Sequence, residues 1–221
     1  MAATETAGSA EAPAQGIDVS HLQGEVDWTS VVQAGYAFTF IKATEGETVV
    51  DPLFSQNWSG AKEAGLFRGA YHFFHAEDSP QTQAEQFWKT VGEIGELPLV
   101  ADVEQEESGI TVPAADVVTA NLLEFLQLVQ QLSGRQPMIY TNRTYWNALD
   151  TTAFSSYPLW LADYVSSWLP GSSPPGLPTG WTTWAFWQHS ESGTVPGVST
   201  STDLNVFNGS LSALRLWTPA G

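Results

Sequence analysis

The chain of 221 residues carries 24 Asp and Glu against seven Lys and Arg, a formal net charge of −17, with 43% hydrophobic and 12% aromatic residues and no cysteine. That charge excludes a basic nucleic-acid interface and long-range attraction to an anionic surface. The missing cysteine excludes a disulfide framework and a thiolate metal site, and no apolar run reaches the ~18–20 residues of a membrane span.

The first fifteen residues, "MAATETAGSAEAPAQ", have no basic region and no apolar core. They read as a disordered polar tail and not as a signal peptide. From there strand-like and helix-like segments alternate. "GIDVS" (16–20) is a short strand, and "VDWTSVVQAG" (26–35) a helix capped by Asp27. "YAFTFIKATEG" (36–46) is a strand running into a polar loop. "DPLFSQNWSGAKEAG" (51–65) is a helix with Asp51 as N-cap and Pro52 at its first position. "RGAYHFFHA" (68–76) is a strand, and "SPQTQAEQFWKTVGEIG" (79–95) repeats the cap-then-Pro start. "LPLVADVE" (97–104) is the fourth strand.

The longest helix is expected over 112–134, with Val118, Leu122, Phe125, Val129 and Leu132 on its apolar face. "QPMIYT" (136–141) and "NRTYWNALD" (142–150) give a fifth strand and a short helix. The rhythm then changes. "YPLWLAD" (157–163), "WTTWAFWQH" (181–189) and "STDLNVF" (201–207) read as strands joined by Pro/Gly/Ser-rich loops, and "SLSALRLW" (210–217) as a closing helix. Residues 218–221 are a C-terminal tail. Five β-α units and three further strands predict an α/β fold with a parallel sheet over 16–217, one domain without an internal linker. Eight strands can close into a barrel. The alternative is an open doubly wound sheet, but "GIDVSHLQG" lacks the G-x-G-x-x-G phosphate loop.

Carboxylates collect at strand ends. In "LPLVADVEQEESG" (97–109), Asp102 and Glu104 stand at i and i+2 and share a strand face with Val100, while Leu99, Ala101 and Val103 take the other. If the latter pack under helices, the acid pair points into the C-terminal mouth of the barrel, where barrel active sites lie. Asp18 in the first strand and Asp203 in the last would join them, because strands one and eight are neighbours in a closed barrel. Like charges so placed push pKa values upward, toward what a general acid requires. For a single Asp among 24 acids, a cap or surface role is the better expectation, and Asp27 and Asp51 are read that way. Glu106 and Glu107 read as a solvated loop. An inward-facing i, i+2 pair serves no packing purpose, so Asp102 and Glu104 are the working candidates.

Ten Trp and six Tyr accompany these acids. Tyr71, Tyr140, Trp160 and Trp187 fall in predicted strands and suit a carbohydrate cleft, whereas Phe38, Phe40 and Phe74 read as core. Other chemistries fit poorly. His21, His72, His75 and His189 form no H-E-x-x-H, and "HFFH" sets His72 and His75 on opposite strand faces. There is no G-x-S-x-G elbow. Lys42 is open to three readings: a Schiff base, an ion pair or a substrate contact. No cofactor or metal is expected.

The segments "GIDVSHLQGEVDW", "FTFIKATEG", "RGAYHFF", "LVADVE", "MIYTN", "LWLADY", "WAFWQ" and "STDLNVFNG" occur in an order and spacing that resembles the glycoside hydrolase family 25 lysozymes, over about residues 15–217. The resemblance implies a flattened (β/α)5β3 TIM-like barrel and an N-acetylmuramidase that cuts the β-1,4 bond from N-acetylmuramic acid to N-acetylglucosamine in peptidoglycan. It implies Glu104 as general acid and Asp102 orienting or stabilising the 2-acetamido group, with Asp18 and Asp203 as the other catalytic acids. It places Lys42, Tyr71, Tyr140, Trp160 and Gln188 against substrate. It further implies a monomer, secreted or acting at the bacterial cell wall, whose partner is the glycan chain. Two positions depart from the family pattern: Leu22 stands where an aromatic is frequent, and His189 where Tyr is. A non-catalytic wall-binding module and a chitin-directed glycosidase are the competing readings.

Overall fold

A computed structural model describes residues 11–105 and 114–217. Eight strands form a closed barrel: β1 (Pro13–Val19), β2 (Phe38–Glu45), β4 (Phe67–Phe73), β5 (Val100–Asp102), β6 (Met138–Asn142), β7 (Leu159–Ala162), β8 (Phe186–Gly193) and β9 (Thr202–Ser210). Pairing of β1 with β2 closes the ring, and a two-residue strand, β3 (Val49–Val50), hangs from β2 as a hairpin. Helices α1 (Trp28–Gln33), α2 (Phe54–Ala64), α3 (Pro80–Val91), α4 (Ala115–Ser133) and α5 (Arg143–Leu149) follow the first five barrel strands; α6 (Leu211–Leu216) follows the last. The five-plus-three arrangement is therefore present. Among the described residues no helix is long and apolar enough to cross a membrane.

Two cores follow from strand alternation. Outward positions such as Ile41, Leu99, Ala101, Val103, Ile139 and Leu161 pack with the helices, Val118, Leu122, Phe125 and Val129 of α4 among them. Inward positions fill the barrel with Phe38, Phe40, Val100, Met138, Trp160 and Phe186. Phe40 stacks on Trp160 at 4.3 Å and meets Phe186 edge-on at 5.0 Å. The rings need small neighbours: a Cβ on Gly69 would stand 2.5 Å from Phe40. Losing one such ring costs about 3–5 kcal/mol.

Several expectations are corrected. The sheet is not wholly parallel: β9 runs antiparallel to both β8 and β1. A parallel return needs a crossover of a dozen or more residues, and residues 194–201 are too few. The first strand begins at Pro13, which pairs with Ser210. The strand expected from 181 starts at Phe186, and the one expected over 97–104 is regular only at Val100–Asp102. Leu132, in the last turn of α4, is 38% exposed, and Leu126 joins Val118, Leu122, Phe125 and Val129 on the buried face. Residues 112 and 113 of that expected helix lie outside the described residues, as do Glu106 and Glu107.

Helix starts divide the same way. Asp27 caps α1 through Thr29 and Ser30, and Ser79 caps α3 ahead of Pro80. Asp51 is not the N-cap of α2. It is a buried tie: Oδ1 accepts from Leu53 N at 2.9 Å, while Oδ2 accepts from His21 N at 2.9 Å and pairs with His21 Nδ1 at 2.8 Å. It fastens the turn at His21–Gln23 to the start of α2.

Candidate active site

The C-terminal mouth of the parallel strands opens into a cleft of about 610 Å³, lined by Asp18, Asp102, Glu104 and Asp203. Tyr71, Tyr140, Trp160, Lys42 and Gln188 line it too, so every residue anticipated for the site is brought together there. Trp187 is not: it is buried elsewhere, its Nε1 donating to Asp163 O at 2.7 Å.

Asp102 is the last residue of β5 and is 6% exposed. Val103 N still bonds Tyr140 O at 2.9 Å, so the chain stays extended past Asp102 and half-buried Glu104 returns to the cleft side. Asp102 Oδ1 is buried without a hydrogen-bond partner among the described residues. Burial, then the charge of Glu104, pushes the Asp102 carboxyl well above the ordinary carboxylate range, and Lys42 works against this.

Asp18 and Asp203 face each other across the β1–β9 ladder and are hydrogen-bonded through their side chains. Two carboxylates can share such a bond only through a proton. Burial and the Asp18 charge drive Asp203 up to about 9, making it the protonated partner. Asp18 is also raised by burial, but three donors hold it back: Gln188, Asn205 and Asp203. Asn205 Nδ2 lies 2.6 Å and Gln188 Nε2 3.0 Å from Asp18 Oδ2.

The outer partners of these amides set their orientation. Trp160 Nε1, which can only donate, bonds Asn205 Oδ1 at 2.7 Å. The hydroxyls of Tyr140 and Tyr164 both donate to Gln188 Oε1, at 2.8 and 3.0 Å. Each amide must therefore turn its NH2 to Asp18. Burial, and then the surrounding anions, push the Tyr71 and Tyr140 phenols well above their usual range, so both remain donors at physiological pH.

Lys42 forms an ion pair on the cleft wall. Its Nζ is 2.6 Å from Glu45 Oε2 and lies over the Phe73 ring at 5.3 Å. A register shift between Lys42 and Thr44 sends Ala43 and Thr44 both outward and returns Glu45 to the cleft beside Lys42. His75 Nε2 stands 3.5 Å from Glu45 Oε1. His72 faces the opposite way, into the helix layer, between Thr44 Oγ1 (2.7 Å) and Gln83 Oε1 (3.0 Å). Among the described residues no group of three or more His, Asp or Glu could hold a metal ion.

Asn205, Tyr164, Glu45 and His21 were not anticipated as site residues. Asn205 carried a usable signal, since it follows Asp203 at i+2 on the same strand face. Glu45 carried none, because strict alternation from Lys42 puts it outside. Leu22 is 71% exposed on the cleft lip. His189 stacks on Trp168 at 5.0 Å, away from the cleft, and burial lowers it to about 4.

Residues 17–198 match the family model for glycosyl hydrolases family 25, and the chain belongs to that family. It is a glycoside hydrolase. It is 38% identical to "Lysozyme M1" of Streptomyces globisporus, over 90% of this chain and 69% of that protein. It is 33% identical to the "N,O-diacetylmuramidase" of Chalaropsis sp, over 91% of this chain and 97% of the relative. The crystal structure of the bacterial lysozyme from Streptomyces coelicolor superposes with a TM-score of 0.83 at 36% identity, covering 94% of this chain and 97% of the other.

Proposed function

We propose that the chain is an N-acetylmuramidase, hydrolysing the β-1,4 bond between N-acetylmuramic acid and N-acetylglucosamine in peptidoglycan. The observation that carries this reading is the pairing of buried Asp102 with half-buried Glu104 in a cleft that also holds Asp18 and Asp203. The muramidase relatives supply the substrate class.

Glu104 gives its proton to the bridging oxygen as the C1–O bond breaks. The donor must reach the leaving oxygen and later a water, and Glu104 is the more exposed acid of the pair. Asp102, at the floor, holds the 2-acetamido group so that its carbonyl oxygen bonds C1 as the leaving group departs. Water then displaces that oxygen at C1, and the Glu104 carboxylate takes its proton back. The substrate thus supplies the nucleophile, which departs from the usual two-carboxylate scheme. Asp18, fixed by Gln188 and Asn205, offers negative charge to the developing oxocarbenium ion. Asp203 keeps the pair at one proton. Tyr71, Tyr140 and Trp160 stack against or bond the sugars, and Lys42 and Gln188 position them.

The enzyme works as a monomer at the bacterial cell wall. Digestion of purified peptidoglycan tests the reading: new reducing ends should be N-acetylmuramic acid. Release of N-acetylglucosamine ends, or faster cleavage of chitin than of peptidoglycan in parallel assays, would overturn it.

A further inference from the structure

A second aromatic groove, of about 400 Å³, lies at the other end of the barrel from the carboxylates. It opens where β7 and β8 begin and β9 ends, beside Leu159, Ala185 and Asn208. Its floor is prebuilt: Tyr157 and Trp181 are buried, and Trp181 Nε1 donates to Tyr157 O at 2.8 Å. Half-buried Trp184 and Trp217 form its walls. Trp217 is braced edge-on against Phe186 and Phe207, at 5.5 and 5.8 Å. Asn208 Nδ2 holds Trp184 O at 2.9 Å, and exposed Thr183 stands at the rim.

Among the described residues no Asp, Glu, Lys or Arg lines this groove, in a chain whose net charge is −17. We infer that it is an accessory binding site for an uncharged stretch of β-linked amino-sugar glycan. A pyranose has an apolar face that packs on indole, and its hydroxyl and acetamido groups match the neutral amide and hydroxyl rim. A charged ligand would find no counter-charge here. A folded protein partner would need roughly 800 Å² on this face, far more than such a groove provides. The volume instead falls in the roughly 300–1,000 Å³ range of small-ligand pockets. Because the groove and the catalytic cleft occupy opposite ends, one enzyme can hold the polymer at two points. Effective concentration on an insoluble wall then rises without any new catalytic contact. The inference rests on the proposed function only for the identity of the polymer.

The test uses the full chain carrying Glu104→Gln, with its ten indole N–H groups resolved by nitrogen-15 NMR. The probe is the soluble β-1,4-linked tetramer of N-acetylglucosamine. The Trp184 and Trp217 signals should shift on titration. Thr183→Arg, which plants a bulky charge on the exposed rim, should abolish both shifts, and Trp184→Ala should abolish that of Trp217. Each should also lower retention on insoluble peptidoglycan about three- to tenfold. Thr183→Arg, placed in the active parent chain, should leave thermal stability and cleavage of short soluble fragments unchanged. Unmoved Trp184 and Trp217 signals, or full wall retention by folded Thr183→Arg, would overturn the inference. A groove shift in a chain whose parent cleaves no peptidoglycan would sink the muramidase reading alone.

Discussion

Asp18 and Asp203 stand directly opposite each other in the antiparallel β1–β9 ladder and hold one proton between them. The arrangement exists because β9 reverses direction and closes the barrel against β1. Two amides pin Asp18, and each amide is itself aimed from behind by a donor on β6 or β7, or by Tyr164 just beyond β7. The site is held rigid from the barrel interior outward, so stability and chemistry draw on the same residues.

Asp203 predicts a conflict between the two. Its folded pKa, about 9, lies above the ordinary value of 3.8. The folded state binds this proton more tightly, so its stabilising effect is complete below pH 3.8 and is lost as pH rises through 9. Asp203→Asn escapes that loss. Thermal midpoints at pH 4, 6 and 8 should show the variant gaining on the parent as pH rises, while its turnover of peptidoglycan falls. A gain largest at pH 4 would contradict the proton assignment.

Asn205→Leu removes the link between Trp160 and Asp18, leaving a buried indole N–H and one carboxylate oxygen short of partners. The expected cost is about 2–4 kcal/mol in denaturant unfolding, together with loss of activity. Conservative Asn205→Asp should not rescue either property, because it adds a third carboxylate beside Asp18. An unfolding midpoint unchanged in Asn205→Leu would count against the network.

His72 sets an acid limit on stability. Burial holds its imidazole at about 4, against 6.5 when free. The unfolded chain therefore binds the extra proton first, and the neutral residue's stabilisation, whole above pH 6.5, is lost as pH falls toward 4. Across that window the parent should lose roughly 3 kcal/mol relative to His72→Gln, whose side chain does not titrate. Parallel stability curves for the two would refute this.

Much of the site was legible because alternation is robust. Val100 and Asp102 face the lumen and Ala101 the helices, as period two requires, and closure of an eight-strand ring brings Asp18 to Asp203. What was not legible came from local departures in the backbone. One extra residue near Ala43 moves Glu45 into the cleft. Asp51 precedes a proline just as a helix cap does, yet its carboxylate is drawn to His21, 30 residues upstream, because the chain brings that turn overhead. The strand in "WTTWAFWQH" starts late because Trp181 is held by Tyr157 outside the sheet. Pattern alone does not carry these long-range partners.

The net charge of −17 predicts salt- and pH-dependent work on an anionic wall. Lysis at low ionic strength should peak below neutral pH, where repulsion falls. Added salt at pH 7 should speed it, because a Debye length of about 10 Å at 0.1 M screens the approach. A rate maximum above pH 7.5 at low salt would contradict this.

The most direct measurement is the rate of peptidoglycan hydrolysis by Glu104→Gln, with folding checked by its thermal midpoint and new ends identified as N-acetylmuramic acid in the parent. If Glu104 delivers the proton to the leaving oxygen, the folded variant should lose about 10²–10⁴-fold in turnover while still binding the wall. A folded Glu104→Gln that hydrolyses peptidoglycan at close to the parent rate would contradict the assignment.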